Sequence, residues 1–274
     1  MICITSIDMD PLQQLKRNWE GFAQTDPLWA ICTDPQKKNN RWSREELFET
    51  GREEMDIVLD CVQSLGLELG WESPALDFGC GVGRLTRAMA SRFVECWGVD
   101  ISPTMIRLAE EYNRDLPHCH FLVNEHDRLE KFQEGQFGFI YTSIVLQHIP
   151  EKYAKSYVGE LIRVLKPGGF LVFQIPDRFR AGMITLIRHK LALRLRLKRL
   201  TGQGDFAMDM HCIAESAVRR LVEQNNAKVL DARLTNSCDP SFSGHLRYLE
   251  EEPARGFVSK QYCVVKSASG DSQP

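Results

Sequence analysis

Apolar and polar positions along the chain alternate between two periods, and that alternation predicts the elements. Ser43 with Glu46 three residues on is a capping box, and the face Leu47, Met55, Val58, Leu59, Val62 and Leu65 predicts the helix it opens. The apolar run Ala75-Leu76-Asp77-Phe78 then meets glycines at 79, 81 and 83, and Leu85, Ala88 and Met89 follow at helical spacing. Together these predict a strand, a glycine loop and a helix. A second strand, Val94 to Asp100, also ends in an acid, and Ser102-Pro103 caps a helix faced by Met105, Leu108, Ala109, Tyr112 and Leu116. Further strands are predicted over His120–Glu125, Phe137–Ser143 and Phe170–Ile175, with a helix faced by Tyr153, Ala154, Tyr157, Val158, Leu161 and Ile162 between the last two. A helix over Ala214–Gln224 and strands over Lys228–Leu234 and Gln261–Lys266 complete the series. Strands that alternate with helices in this way indicate an α/β fold on a mostly parallel sheet.

What fills the glycine loop is open at this point, since nucleotide-type ligands share the device. Glycine lets backbone take positive φ and lie close to a ligand, and a helix that starts there aims free N–H groups at it. Two common devices are absent. The dinucleotide fingerprint needs a third glycine or alanine, but counting from Gly79 meets Arg84 and counting from Gly81 meets Thr86. No Gly-Lys-Ser/Thr follows for a phosphate loop. Asp100 stands 23 residues after Asp77, close to where an acid takes ribose hydroxyls in βαβ nucleotide folds.

Asp77-Phe-Gly79-Cys-Gly81-Val-Gly83 resembles motif I of the class I S-adenosylmethionine (SAM) dependent methyltransferases, and Gly98-Val-Asp100-Ile-Ser-Pro-Thr-Met-Ile106 resembles their motif II. Arg163-Val-Leu-Lys-Pro-Gly-Gly169 before a strand is a further likeness. The resemblance covers residues 72–176 well and implies a doubly wound, mostly parallel, seven-stranded sheet with helices on both faces. It implies that Asp77, Gly79, Gly81 and Gly83 hold the methionine end of SAM, and Asp100 the ribose, with Ile101 and Met105 beside it. For adenine it implies a side chain and a backbone N–H near residues 124–126. Glu125 with His126 is one alignment and Asn124 the other. Ser143 falls at the end of the fourth strand, on the same edge. Phe137-Gly138 replaces the usual Phe-Asp, and no Asn-Pro-Pro-Tyr signature is present, which disfavours DNA adenine or protein glutamine as acceptor.

The implied reaction is methyl transfer to an oxygen, nitrogen or carbon of a small or lipid-like metabolite. A hydroxyl or ammonium acceptor would need a general base; His148, just past the fourth strand, and His211 are the candidates. Two rivals remain: a nicotinamide oxidoreductase, disfavoured by the failed fingerprint, and a catalytically silent SAM-binding module, because fold does not fix function.

Composition narrows the rest. A hydrophobic content of 43% and charged content of 26% describe an ordinary globular protein, and a net charge of −3 argues against a general nucleic-acid binder. Nine cysteines without a Cys-x-x-Cys read as reduced thiols in the cytoplasm, with no zinc site. His118-Cys119-His120 borders a strand and reads as structural, so no metal is expected. No signal peptide or membrane span is predicted.

The expected organisation is an N-terminal cap over 1–54, a methyltransferase domain over 55–266 and a flexible tail over 267–274. Trp19, Phe22 and Trp29 in the cap either close over a ligand or pack the cap on the core. A basic insertion over 178–210 is the candidate substrate lid, because the stretch from Arg178 to Gly204 holds eight arginines and lysines and no acid. Its leucine-rich run over 184–200 is suited to an acidic substrate, a partner subunit or peripheral contact with an anionic membrane.

Overall fold

In the computed structural model, which describes residues 10–66, 68–180 and 208–268, three short strands meet at the centre because their side chains are buried on both faces. Strand β1 (Ala75–Phe78) pairs in parallel with β2 (Cys96–Asp100) on one side and with β4 (Phe137–Thr142) on the other. Every residue of β1 and β4 is buried, as expected for parallel strands covered by helices. The edge strand β3 (Cys119–Val123) is half-buried throughout.

The remaining strands are β5 (Leu165–Arg180), β6 (Ala227–Thr235), β7 (Tyr248–Leu249) and β8 (Gly256–Lys266). The sheet order is β3-β2-β1-β4-β5-β8-β6-β7, with β8 antiparallel to β5 and β6. The sheet thus has eight strands among the described residues rather than the seven expected. The extra one is the two-residue β7, which pairs Leu249 and Tyr248 with Leu234 and Thr235 of β6 and is too short to leave a periodic signal.

Helices α1 (Pro11–Thr25), α2 (Pro27–Ile31), α3 (Arg44–Ser64), α4 (Arg84–Met89), α5 (Pro103–Tyr112), α6 (Glu151–Val164) and α7 (Glu215–Gln224) pack around this sheet. The caps predicted for α3 and α5 are formed: Ser43 and Glu46 make the reciprocal box, and Ser102 Oγ accepts from the Met105 N–H. One core cluster includes Leu76, Ile140 and Phe173 with residues of α6, and a second includes Met55, Val58 and Met89 with Phe139 and Val172. A third, smaller cluster joins the N-terminal segment to the domain through Ala30, Trp42 and Leu47 against Val82 and Met105.

Two expected boundaries move. Residue 54 lies inside α3, so the N-terminal segment and the domain share that helix. Residues 178–180 belong to β5, where they pair with Val258, Phe257 and Gly256. Arg178 and Arg180 there reach Glu252 at 2.6 and 3.2 Å, so these first two cations of the basic stretch have an acidic partner from elsewhere in the chain. The leucine-rich run 184–200 lies outside the described residues, as does the tail from 269. Among the described residues no helix is long and apolar enough to cross a membrane.

Candidate active site

The sheet order reverses between β1 and β4, so the loops at their carboxyl ends diverge and leave a crevice. A cleft occupies it. Phe78, Gly79, Cys80 and Gly81 line it from β1, Val99, Asp100 and Ile101 from β2, Asn124 from the end of β3, and Ser143, Ile144 and Val145 from the end of β4. Arg84, Leu85 and Met105 lie on one side, Ile149 and Tyr157 on another, and Leu15, Trp19, Ala30 and Ile31 of α1 and α2 lie over it.

Gly79, Gly81 and Gly83 have φ of 79°, 54° and 83°, the left-handed region that glycine enters without strain. Two of the loop glycines also accommodate their neighbours. A Cβ on Gly81 would lie 2.7 Å from Ile31 Cδ1, and one on Gly79 would run into the Val145 side chain. The loop is therefore the surface on which the cap and the turn after β4 both seat.

Asp100 closes β2 with its carboxylate pointed back at this loop. The Gly81 N–H donates to Oδ2 at 3.0 Å and the Ser102 N–H to Oδ1 at 2.9 Å. Burial raises its pKa above the usual carboxylate value, against the lowering effect of these amides. A carboxylate has about four acceptor sites, so capacity remains toward the cleft.

Asp77 behaves differently. It is 1% exposed, does not line the cleft, and takes a 2.6 Å hydrogen bond from Thr86 Oγ on Oδ2, while Oδ1 has no partner. Burial pushes its pKa up to about 7. It sits beneath the glycine loop and ties that loop to α4. Gly83 likewise lies outside the lining and packs near Asn113 and Phe121. Arg84 is buried against Glu54 at 2.8 Å, and Tyr141 donates to the same carboxylate at 2.7 Å, so the start of α4 is fastened to α3 and β4 through paired charge.

Of the residues expected near adenine, Asn124 lines the cleft and donates to the His126 carbonyl at 2.8 Å. Glu125 instead forms an ion pair with Lys16 of the cap at 2.8 Å. His126 offers its carbonyl to Tyr157 Oη at 2.7 Å. His148 is buried with both ring nitrogens engaged: Nδ1 donates to the Asp209 carbonyl at 2.8 Å, and Nε2 accepts from the Gln147 amide at 3.1 Å. Burial lowers its pKa to about 4, which keeps the ring neutral. With no free nitrogen and no place in the cleft lining, His148 is not arranged as a general base in this structure. His211 is half-buried outside the lining and donates its backbone N–H to the Gln147 carbonyl at 2.7 Å.

Sequence reasoning missed Leu15, Ala30, Ile31, Arg84, Val145, Ile149 and Tyr157 as lining residues. Ala30 and Ile31 close α2, and the helical face predicted for α6 already contained Tyr157. Among the described residues no cluster of His, Cys, Asp and Glu could hold a metal ion.

The comparisons agree with this geometry. Residues 76–173 match the family model described as a methyltransferase domain. The chain is 30% identical over 136 residues to a ubiquinone biosynthesis O-methyltransferase of Methylococcus capsulatus, covering 48% of this chain and 55% of that protein. It is 34% identical over 102 residues to the chloroplastic tocopherol O-methyltransferase of Arabidopsis thaliana, covering 35% of this chain and 28% of that one. The aligned region thus spans about half or less of the length of these relatives. The crystal structure of magnesium protoporphyrin IX methyltransferase from Synechocystis with bound S-adenosylhomocysteine (SAH) superposes with a TM-score of 0.59 at 16% identity, over 93% of this chain and 99% of that one. Residues 76–173 are thus similar to the methyltransferase domain family, and the chain shares the fold of the Synechocystis enzyme.

Proposed function

We propose that the chain transfers a methyl group from SAM to an oxygen, nitrogen or carbon of a small, lipid-like metabolite. The observation that carries this reading is Asp100, a half-buried carboxylate held by two backbone amides with acceptor capacity left toward a mostly apolar cleft. The vicinal hydroxyls of a ribose suit such a group, because hydrogen bonds to a carboxylate are charge-assisted. The glycine loop beside it exposes backbone without side chains, and Ile101, Met105, Ile149 and Tyr157 offer apolar walls for a purine. The lipid-like character of the acceptor is supported by the apolar lining and by the relatives named for ubiquinone and tocopherol.

When bound, SAM supplies a methyl group already activated by a positively charged sulfur. The protein's part is to hold the acceptor in line and keep water out. Leu15, Trp19, Ala30 and Ile31 of the cap exclude water from above. Among the described residues that line the cleft none is His, Lys or Glu. The titratable side chains on its wall are Cys80, Arg84, Asp100 and Tyr157, so an acceptor that loses a proton would give it to one of these, to solvent or to a group beyond them. The basic stretch 184–200 is proposed to meet an anionic group of the acceptor or of a lipid surface.

Calorimetry with SAH tests the reading. Wild type should bind in the micromolar range or tighter, and Asp100→Ala should lose about 1.5–3 kcal/mol, the size of a hydrogen bond to a charged group. Because Asp100 must be ionised to accept both hydroxyls and its pKa is raised, affinity should also fall as the pH drops through the acidic range. No heat with wild type would sink the proposal. A screen of quinol-like acceptors with radiolabelled SAM would then separate an enzyme from a silent binding module.

A further inference from the structure

Ile144, the second residue after β4, has φ of +60°. A β-branched residue in this region is an outlier, because its side chain crowds its own backbone there. Such a conformation persists only where the surroundings impose it, and it concentrates at functional sites. Ile144 is half-buried and lines the cleft between Ser143 and Val145.

The restraint on it is visible. Gln174 of β5 is 1% exposed and accepts the Ile144 N–H on Oε1 at 3.1 Å. Its amide nitrogen donates to Gln147 Oε1 at 3.0 Å and to Ser259 Oγ of β8 at 2.7 Å. These partners fix which way the amide faces. A flip would set its NH2 against the Ile144 N–H and its oxygen against Gln147 Oε1, leaving buried polar groups unmatched. Gln147 is itself held by Cys238 Sγ at 3.1 Å and by His148, which is tied to the Asp209 carbonyl. Ser259 is backed by Thr235 Oγ at 2.9 Å. The network joins β5, β6, β8 and the loop at 238 to one strained peptide on the cleft wall.

We propose that Gln174 is a positioning residue: its side-chain carbonyl holds Ile144 in the left-handed conformation and so fixes the wall formed by Ser143, Ile144 and Val145 against the glycine loop. Were Ile144 to relax to negative φ, the peptide joining it to Ser143 would rotate. Val145, which lies against Gly79, would move with it. This role rests on the reading of the cleft as an adenosyl-ligand site.

The test is a double-mutant cycle read by SAH calorimetry and thermal denaturation. Gln174→Leu frees Ile144 and should weaken SAH binding about tenfold or more, the scale of coupling between residues in contact. Ile144→Gly tolerates the left-handed conformation without a restraint; because it also removes a side chain from the cleft wall, its own SAH affinity is the reference for the second half of the cycle. In the Gln174→Leu, Ile144→Gly double variant, affinity should return to within about threefold of Ile144→Gly, even though its melting point stays low. A purely structural loss of core hydrogen bonds would lower the melting point and give no such rescue.

Gln174→Leu binding within about threefold of wild type, or a loss of the same size when Gln174→Leu is made on the Ile144→Gly background, overturns the proposal. Should Gln174→Leu fail to fold, Ser259→Ala loosens the same amide more gently. Its loss of SAH affinity must then be cancelled by Ile144→Gly, and a loss that persists, or none at all, overturns the role equally. Wild type that gives no heat with SAH overturns the reading of the cleft and this role with it. Wild-type binding without the rescue pattern overturns only Gln174.

Discussion

Asp77 lies one residue before the end of β1 and Asp100 ends the neighbouring β2, yet their surroundings divide the work between them. Asp100 turns back to the glycine loop and receives two backbone N–H groups. Asp77 is sealed beneath that loop against the Thr86 hydroxyl, and burial raises its pKa well above the usual carboxylate range, to about 7. A carboxyl group whose folded pKa is raised contributes stability that is present below the unfolded value and is lost as pH rises through the folded one. Asp77→Asn keeps an acceptor for Thr86 and removes the titration. The stability of the variant relative to wild type should therefore grow by roughly 1–3 kcal/mol between pH 5 and pH 8. Urea unfolding at the two pH values checks this, and an unchanged difference would mean that Asp77 titrates normally. Both acids were legible in the sequence as strand-ending residues beside glycines. What separated them was not, because it depends on a contact with α4 that strand periodicity does not encode. His148 shows the same limit: its position after β4 marked it as a base, and the Asp209 carbonyl and Gln147 amide that occupy its nitrogens come from folding.

Between elements, the junction of α3 with α4 sets the height of the glycine loop. Gly51 allows it: a Cβ there would stand 2.6 Å from the Arg84 carbonyl oxygen and 2.7 Å from its Cγ. Glycine in mid-helix normally costs about 1 kcal/mol relative to alanine, so Gly51→Ala would stabilise an unconstrained helix. Here the added methyl meets backbone, and overpacking of this kind costs about 1–3 kcal/mol. We expect a net loss of stability in thermal denaturation, and a gain would show that the two helices can separate freely. Three residues on, Glu54 is buried and faces Arg84 and Tyr141. Glu54→Gln leaves the guanidinium buried without its counter-charge and should cost about 3–5 kcal/mol, measured by chemical denaturation. Loss below about 1 kcal/mol would mean that water reaches the pair. The capping box and apolar face made α3 legible from sequence. Its burial of a glutamate was hidden, because the partners lie 30 and 87 residues away. The alternation of strands and helices made the series of elements readable, whereas β7 is a two-residue pairing dictated by its neighbour.

At the scale of the whole molecule, the N-terminal helices form a cover, and one side chain fastens it most firmly. Glu20 of α1 accepts from Ser102 Oγ at 2.6 Å, Thr104 Oγ at 2.5 Å and the Thr104 N–H at 3.2 Å, all at the start of α5. A carboxylate at a helix N-terminus is favoured by the helix dipole and by the free amides there. The other fastenings differ in kind. Lys16 with Glu125 is a half-exposed pair worth little on its own, Tyr153 Oη donates to Asp10 at 2.7 Å near the surface, and Trp19 meets the His148 ring edge-on at 5.3 Å. The aromatic stretch announced a packed segment, but which surface it covers rests on contacts such as Glu20 with Ser102, 82 residues apart. Because Leu15, Trp19, Ala30 and Ile31 lie over the cleft, the cover flanks the route by which a ligand of nucleoside size enters or leaves. Glu20→Ala removes the strongest fastening without touching the cleft lining. It should raise both the association and the dissociation rate of SAH, the latter by about 5–30-fold for a loss of 1–2 kcal/mol, with a smaller change in affinity. Stopped-flow fluorescence reads this directly, since Trp19 lines the cleft and reports its filling. Lys16→Ala serves as the control and should change the rates by less than about twofold. Unaltered rates in Glu20→Ala would mean that ligand exchange takes a path around the cover and that Glu20 only caps α5.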